Sequence, residues 1–206
     1  MKRFISLLFA LVLAATAMAQ TAEEIVNRMD EVMTKHENDA LVMTVDVKIP
    51  IIGTMTTLAY SKGDKSRVEG QMMGQSIITW SDGKTEWTYN GAKNEIEITK
   101  AKASSSEESG DAEMFDDITD GYDVSIEKET NDAWYIVCKK QKNNPDKDAP
   151  KTMNLVVAKG TYFPKSLSAK MYGMTMTMRD LSFGFDEKLL DFHPEDYPDA
   201  KIIDKR

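Results

Sequence analysis

Few side chains in this sequence have the types and spacing that catalysis or metal binding requires. The 206 residues include two histidines, His36 and His193, and one cysteine, Cys138, which lies in an apolar run typical of a core strand. Adjacent carboxylates at 107–108 and 116–117 lie in an acidic stretch, where solvation is the ordinary role of such residues. No histidine and cysteine cluster has zinc-ligand spacing, and no glycine-rich loop has phosphate-binding form. We therefore expect no catalytic residue, no metal and no cofactor.

Apolar side chains that could bind a ligand are more plentiful. The sequence has 14 methionines, of which Met174, Met176 and Met178 alternate with threonines. Because successive side chains of a strand point to opposite faces, these three methionines share one face. Methionine fills irregular gaps in a core, and it also suits a deformable surface that accepts varied apolar ligands. Both interpretations are open for this segment taken alone.

The elements that position these side chains are one helix and a long run of strands. Thr21 and Glu24 have capping-box spacing, and the apolar residues that follow repeat with helical periodicity, which predicts a helix over residues 22–35. After that the periodicity changes to two, with short turn clusters between the apolar runs. We predict about eleven antiparallel strands, over residues 41–49, 54–61, 65–71, 75–80, 85–90, 94–98, 123–128, 133–139, 152–158, 165–171 and 174–183.

Composition and charge restrict the class of protein. The chain is 41% hydrophobic, 29% charged and carries a formal net charge of −8, which argues against a nucleic-acid binder. Residues 1–19 have the basic start, apolar stretch and small-residue end of a cleaved signal peptide. That apolar stretch is shorter than the bilayer-spanning helix that a membrane anchor requires. We expect one soluble, monomeric domain over residues 20–206, exported to the periplasm.

The predicted sheet is too large for the predicted helix to cover. A helix of this size is about 21 Å long at 1.5 Å per residue. The apolar face that remains must be covered by residues 101–121, by a partner or by a ligand, because large exposed apolar patches are unusual. Residues 101–121 are long for a loop, so we treat them as a candidate lid.

Candidate residues for an apolar cavity follow from these patterns. The strands supply Met43, Val45, Met55, Leu58, Trp80, Trp87, Met174, Met176 and Met178. The helix and the lid supply Ile25, Met29, Met114 and Phe115. The strand parity that faces the cavity is left open by the sequence.

The segment from Trp80 to Asn90 resembles a known family. Its Asp82-Gly83-Lys84 turn, followed by an aromatic residue, a tyrosine and an asparagine, is similar to the periplasmic lipoprotein carrier family LolA. Further along, the turn at 162–165, the Phe-His-Pro segment at 192–194 and the charged tail agree in order with that family. The resemblance covers essentially all of residues 20–206, although its motifs are short.

This resemblance implies an incomplete antiparallel β-barrel of about eleven strands, LolA- or LolB-like, with an N-terminal helix and a lid over an apolar cavity. It implies a carrier that takes acylated lipoproteins from an inner-membrane transporter towards an outer-membrane acceptor. A lipid-responsive sensor and a protein-interaction module of the cell envelope are the alternatives. The family's lid-binding arginine after the second strand has no counterpart here, because Arg67 is displaced from that position.

Overall fold

The computed structural model describes residues 20–72, 74–101 and 118–206. The expected signal peptide lies outside the described residues, and so does most of the expected lid, including Met114 and Phe115. Within the described residues, no helix has both the length and the apolar character needed to cross a bilayer.

The helix α1 extends from Ala22 to Thr34, close to the predicted range. Its capping box is formed, because Thr21 Oγ1 accepts a hydrogen bond from the Glu24 amide and the Thr21 amide donates to Glu24 Oε2, both at 3.1 Å. Four large side chains of one face are buried: Ile25, Val26, Met29 and Met33. The helix is therefore held by tertiary packing as well as by its cap.

Twelve strands form the rest of the described chain. They are β1 (Leu41–Ile49), β2 (Gly53–Lys62), β3 (Lys65–Met72), β4 (Gln75–Ser81), β5 (Thr85–Asn90), β6 (Glu95–Lys100), β7 (Tyr122–Glu129), β8 (Ala133–Lys140), β9 (Thr152–Ala158), β10 (Pro164–Met171), β11 (Met174–Phe183) and β12 (Lys201–Asp204). All eleven predicted strands are present, with ends within two residues of the prediction. The strand β12 is absent from the prediction, because it has four residues and its place depends on pairing with β6.

One open sheet contains every strand, in the order β12-β6-β5-β4-β3-β2-β1-β11-β10-β9-β8-β7. Neighbours are antiparallel, apart from β12, which pairs with β6 in parallel. The strand β1 lies centrally and joins two meanders, β2 to β6 and β7 to β11. The sheet is not closed into a barrel, since β12 and β7 form its two edges.

The face of the sheet that contacts α1 is called the inner face below. A bulge in β11, where Asp180 has a φ of 56°, keeps both Met178 and Leu181 on that face. The buried core lies between α1 and the inner face of β1 and β7 to β11. Its strand residues are Leu41, Met43, Tyr122, Trp134, Ile136, Cys138, Met153, Leu155, Val157, Leu167 and Leu181.

The outer face is covered in part by the C-terminal segment. After β11 the chain forms two short 3₁₀ helices, Glu187–Leu190 and Pro194–Asp196, before it enters β12. The first of these contacts β2 and β3. The C-terminal segment therefore adds a second, smaller layer on the side of the sheet opposite α1.

Candidate functional site

An apolar area of the inner face extends beyond α1. Val47 pairs with Met55 on one side and with Met176 on the other, so the three side chains lie in one row across β2, β1 and β11. Val68 and Ile77 continue this face onto β3 and β4. These five residues, the open inner patch, are not among the buried residues of the core. Met176 is 40% exposed and Val68 is 38% exposed, which is unusual for large apolar side chains that share a face with the core.

A cleft of about 570 Å³ borders this patch where β2 and β3 separate. The two strands pair from Thr57 and Gly70 to Lys62 and Lys65, whereas the start of β2 pairs only with β1. The end of β3 continues in pairing with β4 instead. Both strands line the cleft, β2 with Thr54 to Leu58 and β3 with Glu69 to Gln71. Its volume falls within the range of small-molecule sites, about 300–1,000 Å³.

Gly70 pairs with Thr57 where the paired part of β2 and β3 begins, at the edge of this cleft. A Cβ atom at position 70 would lie 2.6 Å from Thr57 Cγ2, which is too close for two carbon atoms, whereas the nearest backbone atom, the Thr56 carbonyl oxygen, would lie 3.7 Å away. A side chain at position 70 would therefore displace the Thr57 methyl group.

Five of the candidates predicted from the sequence lie in the core between α1 and the inner face or at its margin. Ile25 and Met29 of the helix are fully buried, and Met43 is 4% exposed. Val45 and Met178 pack at the margin of the same core. A sixth candidate, Met174, lies at the start of β11 with the parity of the open inner patch.

Trp80, Trp87 and Leu58, which are cavity candidates of open parity in the sequence, lie on the outer face. The register pairs Trp80 with Arg67 and with Trp87, and it pairs Leu58 with Glu69. Trp80, Trp87 and Leu58 therefore have the parity opposite to that of Val68 and Ile77. Alternation within β4 does not reveal which face is inner, because both parities of this strand carry apolar or aromatic residues.

Trp80 and Trp87 are covered by aromatic rings of the C-terminal segment. The Phe192 ring lies 5.4 Å from Trp80, edge-on, and is stacked 5.5 Å from Trp87. The Tyr197 ring lies 5.9 Å from Trp80 and 4.5 Å from Tyr89. Such pairs stabilise the contact beyond the burial of their area. Sequence reasoning missed this cluster, although two aromatic residues beside prolines in a polar tail were a signal for it.

Arg67 contributes to the same outer cluster. Its guanidinium lies 5.1 Å from the centre of the Trp80 ring, its Nε is 3.0 Å from Glu69 Oε1, and its Nη1 donates to the Leu189 carbonyl. Arg67 thus links the sheet to the first 3₁₀ helix.

The side chains that could take part in catalysis, namely the histidines, Asp82 and Cys138, have surface, turn or core positions. His36 contacts Asp39 at 2.6 Å, and His193 contacts Glu195 at 3.1 Å, both at the surface. Asp82 accepts hydrogen bonds from the amides of Thr85 and Lys84, which hold the pKa of this carboxyl below its usual value and fix the turn. Burial raises the pKa of the Cys138 thiol to about 11. In the described part of the chain, no group of three metal-binding side chains is placed to hold an ion.

Comparisons with known proteins bear on the fold. No protein-family model matches the chain, and no curated protein matches it. An uncharacterised conserved protein from Thermus thermophilus is similar in structure, with a TM-score of 0.50 and 18% sequence identity over 90% of this chain and 100% of that one. The lipoprotein LppX from Mycobacterium tuberculosis has a TM-score of 0.49 and 8% identity, over 78% of this chain and 94% of that one. A LolA superfamily protein from Nitrosomonas europaea has a TM-score of 0.33 and 13% identity, over 84% and 99%.

The expected fold class is the one observed: a mainly β domain with one N-terminal helix against an open antiparallel sheet. The sheet has twelve strands rather than about eleven. Of the three tryptophans, Trp80 and Trp87 face away from the helix, whereas Trp134 lies in the core.

Proposed function

We propose that this chain is an exported carrier that binds the acyl chains of lipoproteins on the open inner patch and moves them through the periplasm towards the outer membrane. The observation that carries the proposal is the exposure of Met176 and Val68 on the same face as the buried core. The core itself is filled by α1, so the lipid site lies beside the helix rather than beneath it.

The open inner patch has the character of a site for flexible chains. Two of its five residues are methionines, whose unbranched thioethers adapt to ligands of varied shape. Burying methylene groups contributes about 0.8 kcal/mol each, so about ten buried carbons would supply roughly 8 kcal/mol, which corresponds to micromolar affinity. An open-sided patch keeps the affinity in this range, and a carrier that has to release its cargo needs such a limit.

The cargo and the partners follow from the family resemblance of the Asp82-Gly83-Lys84 turn and the C-terminal segment. We propose lipoproteins as cargo, an inner-membrane transporter as donor and an outer-membrane protein as acceptor. The signal peptide expected over residues 1–19 is consistent with such a route.

The first experiment is native mass spectrometry of the exported chain purified from its own cell envelope. The proposal predicts additional mass from bound acylated species, and addition of a lipopeptide to the stripped protein should restore it. A chain that carries no lipid and takes up none on addition would overturn the proposal. A stable protein partner in its place would support the interaction-module alternative.

The second experiment compares two charge substitutions at similarly exposed positions. Met176 on the inner face is 40% exposed, and Leu189 in the C-terminal segment on the outer side is 36% exposed. Met176→Glu should weaken uptake of a fluorescent fatty acid at least tenfold, because an unpaired carboxylate would be desolvated against the acyl chain. Leu189→Glu should leave uptake unchanged. Equal uptake by the two variants, with both folded, would contradict the assignment of the inner patch.

A further inference from the structure

One end of the sheet carries exposed apolar side chains on neighbouring hairpins. Ile51 and Ile52 form the turn between β1 and β2, where Ile51 is fully exposed and Ile52 is 78% exposed. Tyr172, in the turn between β10 and β11, is 76% exposed. Because β11 pairs with β1, the two turns lie side by side. We call this end of the sheet the hairpin rim.

The conformation of Ile51 is unfavourable for its residue type. Its φ is 73°, in the left-handed region that β-branched residues rarely adopt. Gly53, two residues later in the same turn, also has a positive φ. Asparagine or glycine would adopt this turn more readily. Ile51 is both strained and fully exposed, so it does not stabilise the fold. A polar residue at this position would stabilise the fold better.

Lysines surround these turns. The register places Lys48, Thr175 and Lys170 in one row across β1, β11 and β10. A cleft of about 790 Å³ beside them is lined by Lys140, Lys147, Lys151 and Lys170, with Tyr172 at its edge. Its lining includes one carboxylate, Asp148, and Asp146 lies in the same loop.

The lysines of this rim are largely unpaired. At the other end of the sheet, Lys62, Lys65, Lys159 and Lys165 form ion pairs with Glu187, Asp191, Glu129 and Asp132, whereas Lys35, Lys84 and Lys188 form none among the described residues. At the rim, the side chains of Lys48, Lys147, Lys151 and Lys170 have no ion-pair partner among the described residues, and Lys140 donates to the Ala149 carbonyl. An acidic protein thus places a group of unpaired cations beside its most exposed apolar turns.

We propose that the hairpin rim is a membrane-docking surface, with Ile51 and Ile52 inserted among the acyl chains of an anionic bilayer and the lysines against its phosphate groups. Apolar side chains beside an interfacial tyrosine and a basic surface are the combination that binds anionic membranes reversibly. This inference goes beyond the proposed cargo site, since the rim and the open inner patch use different residues.

Co-sedimentation of the exported chain with vesicles tests the proposal. The vesicles are made of phosphatidylcholine alone or of equimolar phosphatidylcholine and phosphatidylglycerol. Wild-type protein should prefer the anionic vesicles. Ile51→Asn/Ile52→Asn should weaken this binding about tenfold. Its melting temperature should equal or exceed that of wild type, because asparagine tolerates the left-handed turn.

The lysines are tested by Lys147→Gln/Lys151→Gln/Lys170→Gln. Each surface lysine contributes about a fivefold gain in affinity for an anionic bilayer, so the triple variant should lose at least tenfold on anionic vesicles and little on neutral ones. Two controls at the other end of the sheet make matched changes: Leu189→Asn, and Lys35→Gln/Lys84→Gln/Lys188→Gln. Both should bind like wild type.

The inference would be overturned if wild-type protein sedimented with neither kind of vesicle. It would also be overturned if the rim variants bound vesicles as well as their controls. Failure of the cargo site is distinguishable, because Met176→Glu should lose fatty-acid uptake while it still sediments with vesicles. Conversely, the rim variants should keep fatty-acid uptake from solution.

Discussion

The position of Trp80 and Trp87 on the outer face predicts a specific effect of removing the ring of Phe192. This ring packs between Trp80 and Trp87 and is half-buried. A fully buried Phe→Ala substitution costs about 3–5 kcal/mol, so a half-buried ring with two aromatic neighbours should cost about 2 kcal/mol. For a domain of this size, that loss corresponds to a decrease of about 4–8 °C in melting temperature.

Urea denaturation followed by tryptophan fluorescence measures this effect, because two of the three tryptophans, Trp80 and Trp87, are neighbours of the deleted ring. Leu189→Ala is the control, since Leu189 belongs to the same C-terminal segment but is 36% exposed. Phe192→Ala should be clearly less stable than this control, yet it should take up fatty acid like wild type. The reasoning is refuted if the two variants are equally stable, or if the folded Phe192→Ala protein loses fatty-acid uptake.

Two further predictions concern titratable groups. Burial raises the pKa of Cys138 to about 11, so about one thiol in ten thousand is ionised at neutral pH; a thiol reagent should label the folded protein hardly at all and the protein in urea completely. Asp46 accepts hydrogen bonds from Arg179 and Thr56, which hold the pKa of its carboxyl below the ordinary 3.8. Its contribution to stability is complete above the unfolded-state pKa and disappears as the pH falls through the folded-state pKa. Asp46→Asn should therefore be slightly less stable than wild type at neutral pH in urea denaturation, and the difference should vanish in acid; a constant difference would contradict this account.

Local patterns predicted the elements of this fold well. The capping box at Thr21 and the spacing of Ile25 and Met29 suffice for α1, because both depend on residues within two turns of the helix. Turns such as Asp82-Gly83 mark the strand ends, since the carboxylate satisfies nearby amides. These features require no knowledge of the rest of the chain.

The faces of the strands could not be predicted in the same way. Trp80 lies outside because the C-terminal segment supplies Phe192 and Tyr197 to cover it, and that contact spans more than a hundred residues of sequence. The bulge at Asp180 likewise reverses the parity of β11 between Met178 and Leu181. Parity thus depends on long-range partners, which alternation within one strand does not reveal.

The central claim is that acyl chains lie on the open inner patch, and photocrosslinking tests it most directly. A fatty acid that bears a diazirine near its methyl end is bound to the exported chain, irradiated, and the labelled residues are identified by peptide mass spectrometry. We predict labels on the inner-face strands at Met55, Val68 and Met176, competed away by unlabelled lipid. Labels confined to the outer aromatic cluster around Trp87, or spread without competition over the surface, would contradict the claim.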